Sequence, residues 1–416
     1  MPGRRCCLLV ASEFMVTLAD IEAARARMGD LVDVTPCDRS QTFSTFTGNS
    51  IYFKLENLQM TGSFKERGAL NKMLLLSADE RKRGVICASA GNHAQGVSYH
   101  ATRLGIKSKI VMPLTAPLVK VSATQGYGGE VIQSGLNYDE AYAEAMRICN
   151  AEGLTFIHAF DDDAVIAGQG TIGLEILQQV EDVEAVVIPI GGGGLIGGIA
   201  CAIKERKPSV RIVGVEPAVV PSMQAAINEG APITLPPART IADGIAVRRV
   251  GTHTLPLAQK YVDEIVTVEE EEIANAILLL LEREKTVAEG AGAAATAALL
   301  QRRTSLIGKR TVSLVCGGNI DSIFLTHIIE RGLVKDGRIV RLRLQTSDNP
   351  GVLHAVTAVI ARVRANIVNI HHERAYFGVR LGNTVMDFTL ETRGAEHVEQ
   401  LCTALREAGY DYERIL

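Results

Sequence analysis

From residue 51 to residue 315 the chain repeats one pattern: a short apolar run, then a polar stretch whose apolar positions return every three or four residues. The runs at 51–55, 85–88, 109–112, 130–132, 156–159, 185–190, 210–215 and 311–315 predict strands. Between them, 92–104, 139–151 and 168–180 predict helices, and 16–27 predicts a surface helix ahead of the loop Thr35-Pro36-Cys37. Uninterrupted apolar strands alternating with helices imply an α/β body of mostly parallel sheets covered on both faces. The period changes near Gly332–Gly337. Val340, Leu342 and Leu344 alternate there with Arg341, Arg343 and Gln345, a strand with one wet face. Val352, Val356, Val359, Ile360 and Val363 mark a helix, and strands at 366–371 and 385–390, a helix at 397–408 and a strand at 410–415 follow. The order β-α-β-β-α-β is the ferredoxin-like α+β plan, at the length of a separate small domain.

Chemistry gathers where the strands run out. Ser63-x-x-Glu66 fits a capping box, so a helix with Ser63 as N-cap is expected, its apolar positions Ala69, Leu70, Met73 and Leu74 at helical spacing. Lys65 then lies in the first turn, where the helix dipole disfavours an ammonium and favours a neutral, nucleophilic amine. Gly191-Gly192-Gly193-Gly194-Leu195 lies between a buried strand and a helix. Backbone N–H groups at such a junction cradle an anion without a lysine, and no Walker-type Gly-Lys-Ser follows. The bland alternative is a tight turn, for which four glycines in a row are more than is needed. Ser89-Ala90-Gly91-Asn92-His93 and Cys316-Gly317-Gly318-Asn319 are two further turns at strand ends, where ligands sit in open α/β sheets. Taken alone, Asn92 reads better as a helix cap.

Composition narrows the field. Hydrophobic residues make up 47% and charged residues 22% of 416, a globular chain long enough for two or three domains. A net charge of −4 gives no reason to expect nucleic acid. No apolar run reaches the ~20 residues of a membrane helix. The eight cysteines show no CxxC spacing, which speaks against zinc and for a reduced, cytoplasmic setting. Residues 1–14 read as an alternative start or a cloning remnant outside the fold. His371-His372-Glu373 reads as surface rather than a metal site, and Glu269–Glu272 as the acidic first turn of a helix.

Ser63-Phe64-Lys65, Ser89–His93, the tetraglycine loop and Cys316–Asn319, in this order, resemble the threonine dehydratases of the serine/threonine dehydratase family, fold-type II pyridoxal-phosphate enzymes. The resemblance runs from about Leu18 to Leu333 and includes Val165–Thr171 and Ile241–Gly244. It implies a two-subdomain catalytic domain over 15–333, with the small subdomain at about 60–158. The tail, 338–416, resembles an ACT domain, a regulatory module that often binds amino acids. By this resemblance Lys65 would hold pyridoxal 5'-phosphate as a Schiff base and later remove the Cα proton. Gly191, Gly192, Gly193, Gly194 and Leu195 would bind its phosphate, Asn92 its phenolic oxygen, and Cys316 would face the ring nitrogen. Ser89, Ala90, Gly91, Asn92 and His93 would meet the substrate, and Asp348, Asn349, Gly351, Val352 and Leu353 an effector. Glu289 could also reach the site.

Two departures sharpen the expectation. Relatives that racemise serine carry a Ser at the position of Ala90, which favours elimination over racemisation here; serine racemase or a β-replacing enzyme is the alternative. Those relatives bind a cation through acidic residues after the strand holding Glu216, and residues 216–222 offer one carboxylate, so no metal is expected. The implied activity is deamination of L-threonine to 2-oxobutanoate, with L-serine secondary. A homo-oligomer, tetramer or dimer, is expected, and isoleucine feedback would fit a biosynthetic role.

Overall fold

A computed structural model describes residues 15–374 and 381–415; the expected leader, 1–14, lies outside the described residues. The chain divides into two compact units, the first ending at Ile320 and the second beginning at Asp321.

In the first unit the strands are β1 (Cys37–Ser40), β2 (Ser50–Leu55), β3 (Val85–Ala88), β4 (Ser108–Met112), β5 (Glu130–Gln133), β6 (Thr155–Phe156), β7 (Ala185–Pro189), β8 (Arg211–Pro217), β9 (Glu264–Val268) and β10 (Arg310–Val315). They form a six-stranded sheet, β1-β2-β10-β7-β8-β9, and a four-stranded sheet, β5-β4-β3-β6. All pairings are parallel except β1 with β2. Strands β3 and β7 are buried along their whole length, as apolar runs covered on both faces must be.

Two expectations need correction. The run 156–159 ends as a strand at Phe156, with Ile157 N–H still on the Ile86 carbonyl (2.9 Å), and residues 158–161 turn away instead. The helix expected at 168–180 begins five residues earlier, at Asp163, because the Asp162 carboxylate accepts from the N–H groups of Ala164 and Val165. That helix, Asp163–Gln179, packs backbone to backbone on Gly194–Arg206. A Cβ added at Gly198 would lie 2.4 Å from the carbonyl oxygen of Ile166.

Beneath the lysine helix, Lys65–Leu74, lies a buried ionic cluster. Arg67 reaches Glu56 (Nε–Oε2 2.8 Å) and Glu175 (Nη1–Oε1 2.5 Å), and Lys54 reaches Glu175 (2.5 Å). Burial opposes ionisation of Glu56, but the guanidinium beside it outweighs that and holds the carboxyl below its usual range. The cluster ties the lysine helix to β2 and to Asp163–Gln179.

The second unit holds β11 (Ile339–Ser347), β12 (Asn366–Glu373), β13 (Asn383–Glu391) and β14 (Tyr412–Ile415) in one antiparallel sheet, β12-β13-β11-β14. Leu342, Leu344, Phe388 and Leu390 pack with Val356 and Ile360 of helix Val352–Arg362 and Leu401 and Leu405 of helix Ala395–Glu407. The β-α-β-β-α-β order is that read from the periodicity.

Candidate active site

The lysine helix starts where the sequence suggests, but not by the expected cap. Its N-cap is Phe64, without a side-chain bond, and Glu66 turns back to Thr61, accepting from its N–H (2.9 Å) and hydroxyl (2.8 Å). Ser63 is instead bridged to Gly317, and its buried hydroxyl has no partner among the described residues. Phe64 N–H donates to the Cys316 carbonyl (3.1 Å) and Gly318 N–H to the Gly62 carbonyl (2.9 Å). The bridge and these bonds override the capping box, because they set the backbone of residues 62–64 from the other strand end. They bring Lys65 and Cys316 together from positions 251 residues apart in number.

Lys65 Nζ donates to the carbonyl of Ala159 (2.9 Å). Burial pulls its amine from 10.5 down to about 8, against Cys316 and Glu289, which favour the ammonium. At neutral pH a neutral amine is therefore within easy reach. The Cys316 thiol is buried, and burial and Glu289 push it well above its usual value, so it faces the site uncharged.

The tetraglycine loop ends β7, and its helix starts at Gly194 with Gly193 as N-cap at φ +94°. A Cβ at Gly192 would lie 2.3 Å from the Phe160 ring, and one at Gly193 2.5 Å from Met223 Cε. The Gly192 carbonyl accepts from the Thr254 hydroxyl (2.7 Å), which fixes the loop from behind. Among the described residues the N–H groups of Gly192, Gly193, Gly194 and Leu195 find no protein acceptor, as expected at a helix start. The 158–161 turn links this loop to the lysine, since Ala159 holds Nζ and Phe160 packs against Gly192 and Gly194. His158 Nδ1 stiffens the turn by accepting from the N–H groups of Phe160 (3.2 Å) and Asp161 (2.8 Å).

In the Ser89–His93 turn, Ser89 Oγ accepts from Gly91 N–H (3.2 Å), and Ala90, Gly91 and Asn92 are half-buried. Asn92 is no helix cap. Its Nδ2 donates to Glu289 Oε1 (2.7 Å), and its Oδ1 accepts from Asn319 Nδ2 (2.8 Å). Glu289 is buried, and that burial, with Asp243, raises its carboxyl to about 7. His93 departs from the group: it points into the core, Nε2 against the Ile157 carbonyl (2.8 Å), and burial with Lys65 nearby lowers it to about 3. A ring so placed does not face a substrate.

The structure thus gathers Lys65, Asn92, Cys316 and Glu289, and joins the lysine to the glycine loop through residues 159–160. That turn was missed because its apolar letters read as strand. Asn319 was visible only as the last letter of a glycine turn. Asp348, Asn349, Gly351, Val352 and Leu353 form one junction in the second unit, between β11 and helix Val352–Arg362, with Gly351 at φ +92° and Asp348 paired to Arg374 (3.2 Å). Both Glu216 oxygens are occupied by N–H groups of Met223 (2.7 Å) and Gln224 (2.9 Å).

Comparison with known proteins agrees with this geometry. Residues 29–317 match the family model described as pyridoxal-phosphate dependent enzyme, and residues 336–409 match that of the ACT domain. An L-threonine ammonia-lyase of Thermotoga maritima is 47% identical over 397 residues, covering 95% of this chain and 99% of that protein. The processed form of threonine deaminase isoform 2 from Solanum lycopersicum superposes with a TM-score of 0.72 at 38% identity, over 78% of this chain and 98% of that one. Maize serine racemase gives 0.73 at 33% identity, over 77% and 99%. The chain belongs to the family of pyridoxal-phosphate-dependent enzymes that includes the threonine ammonia-lyases, and it carries an ACT domain after its fold-type II body.

Proposed function

We infer that this chain deaminates L-threonine to 2-oxobutanoate and ammonia by β-elimination of water, with L-serine as a second substrate. The observation that carries the reading is the desolvated Lys65 amine, joined through Ala159 and Phe160 to a cradle of bare backbone N–H groups. It stands beside 47% identity to an L-threonine ammonia-lyase along nearly the whole chain.

Pyridoxal phosphate fits these residues. Side chains are excluded from Gly192 and Gly193 by contact, and the N–H groups there and at Gly194 and Leu195 are left for an anion. Lys65 would hold the cofactor by its amine, Gly191–Leu195 its phosphate, Asn92 its phenolic oxygen, and Cys316 would stand at its ring nitrogen. When bound, the cofactor supplies a sink for the negative charge left at Cα. Cys316, an uncharged thiol, leaves that ring nitrogen without a formal counter-charge, which suits prompt loss of a β-hydroxyl better than a long-lived carbanion. Once the substrate amine has displaced it from the cofactor, Lys65 would take the Cα proton in its neutral form, which its lowered pKa makes accessible. Of the turn 89–92, the N–H groups of Ala90 and Asn92 would orient the substrate carboxylate, since Ser89 N–H is held by the Val111 carbonyl and Gly91 N–H by Ser89 Oγ. The enamine released tautomerises to an imine, which water hydrolyses to the 2-oxo acid and ammonia.

Racemisation on the same fold would need a second proton donor across from Lys65, and Ala90 has none to give. Incubation with L-threonine and L-serine, assayed for 2-oxo acid against D-serine, tests the choice. Dominant 2-oxo acid is expected; dominant D-serine contradicts the reading.

Catalysis is assigned to residues 15–333, with the β5-β4-β3-β6 sheet as the core of a small subdomain at about 60–158, and regulation to 338–416. An amino acid effector would bind at the 348–353 junction, and isoleucine is the first candidate. A homo-oligomer, tetramer or dimer, in the cytoplasm completes the reading. Among the described residues no helix is long and apolar enough to cross a membrane.

A further inference from the structure

Two side chains outside the assigned contacts decide which way the Asn92 amide faces. One neighbouring group has a polarity that cannot change, the backbone carbonyl of Thr61, which can only accept. Asn319 Nδ2 donates to it (2.8 Å), so the nitrogen end of that amide is fixed toward Thr61. The same nitrogen lies 2.8 Å from the Asn92 amide, and only the oxygen of Asn92 can accept there. The nitrogen of Asn92 must then face the other way, and it meets Glu289 Oε1 at 2.7 Å. A carboxyl accepts through its carbonyl oxygen even when it carries a proton, so this last bond keeps its direction in either state of Glu289. The groups around Glu289 are Asp243, Lys120 and Lys65, with the Cys316 thiol close by.

Two close approaches hold the chain of bonds in register. A Cβ at Gly317 would stand 2.4 Å from Glu289 Oε1, and one at Gly62 (φ +74°) 2.5 Å from Asn319 Oδ1. Both carboxamide and carboxyl therefore rest against bare backbone, at positions where a side chain would displace them. An amide nitrogen carries two hydrogens. Glu289 takes one from Asn92, and the direction of the other is then set.

We propose that Glu289 and Asn319 are positioning residues that lock the Asn92 amide from both ends, so that its free N–H is presented to the phenolic oxygen of the bound cofactor. This rests on the assignment of Asn92 to that oxygen. Without the lock the amide can turn its oxygen toward the cofactor's oxygen, replacing attraction by repulsion.

The test measures the visible absorption band of the cofactor-loaded protein and the dissociation constant of pyridoxal phosphate, with thermal melts to verify folding. Asn92→Ala sets the reference. Glu289→Ala and Asn319→Ala should each weaken cofactor binding about tenfold, the size of one hydrogen bond to a charged group, and move the band as Asn92→Ala does. The Glu289→Ala/Asn92→Ala double variant should go no further than Asn92→Ala alone. Glu289→Gln, which still offers an oxygen to Asn92, should restore band and affinity. If Asn92→Ala shifts both readouts while Glu289→Ala and Asn319→Ala shift neither, the locking role is overturned and the Asn92 assignment stands. If Asn92→Ala itself changes nothing, the assignment of Asn92 fails and the lock falls with it. Should Glu289→Ala not fold, Asn319→Ala, at the half-buried end of the chain of bonds, decides alone.

Discussion

At the scale of single residues, reactivity here is made by removing water. Lys65 is one lysine among many in composition, but its amine is lowered from 10.5 to about 8 because burial penalises the ammonium more than Cys316 and Glu289 stabilise it. This has a stability cost in the cofactor-free protein. Between pH 8 and 10.5 the unfolded chain binds a proton that the folded one has released, so stability rises with pH through that window, and below pH 8 the penalty is complete. Lys65→Met should therefore make the cofactor-free protein more stable at pH 7, by on the order of 2–3 kcal/mol, with the gap closing as pH approaches 10.5. Urea denaturation at pH 7 and pH 10 checks this; equal gaps at both would contradict it. The lysine's place in a first helical turn was legible in the sequence. The reason for its desolvation was not, because Ala159, Cys316 and Glu289 arrive from three distant parts of the chain.

Among the elements, periodicity told most where a segment has one job. The buried strands β3 and β7 and the alternating strand β11 follow from their letters. It failed where tertiary bonds compete with a local rule. Ser63-x-x-Glu66 is a good capping box on paper, but Ser63 is drawn into a bridge with Gly317 and Glu66 is taken by Thr61. Residues 156–159 look like a strand, yet the chain must turn there to hold Lys65 and brace Gly192. Nor does the sequence announce the cluster of Lys54, Glu56, Arg67 and Glu175, whose members look like surface charges and are all buried. That cluster anchors the lysine helix two residues from the reactive amine. Arg67→Met would strip the buried Glu56 carboxylate of its guanidinium and leave Glu175 with Lys54 alone, and a loss of about 3–5 kcal/mol is expected by calorimetry or denaturant titration. A loss under ~1 kcal/mol would mean that the helix is held by its apolar face alone.

For the whole molecule, the sequence separates an α/β body from an α+β tail by a change of period, and the two compact units have those architectures. The second unit matches the ACT domain, the module to which regulation is assigned. Titrating isoleucine, valine and threonine against the initial rate should reveal a response to at least one, and Asp348→Ala should weaken it without changing the rate in its absence. A rate indifferent to all of them would remove the effector from the account.

Each of the proposed roles depends on Lys65 carrying the cofactor. Purified protein mixed with pyridoxal phosphate should gain a visible absorption band, and borohydride reduction followed by peptide mass mapping should leave the pyridoxyl group on Lys65. Lys65→Ala should show neither band nor label. Label on another lysine, or a band that survives in Lys65→Ala, would contradict the account.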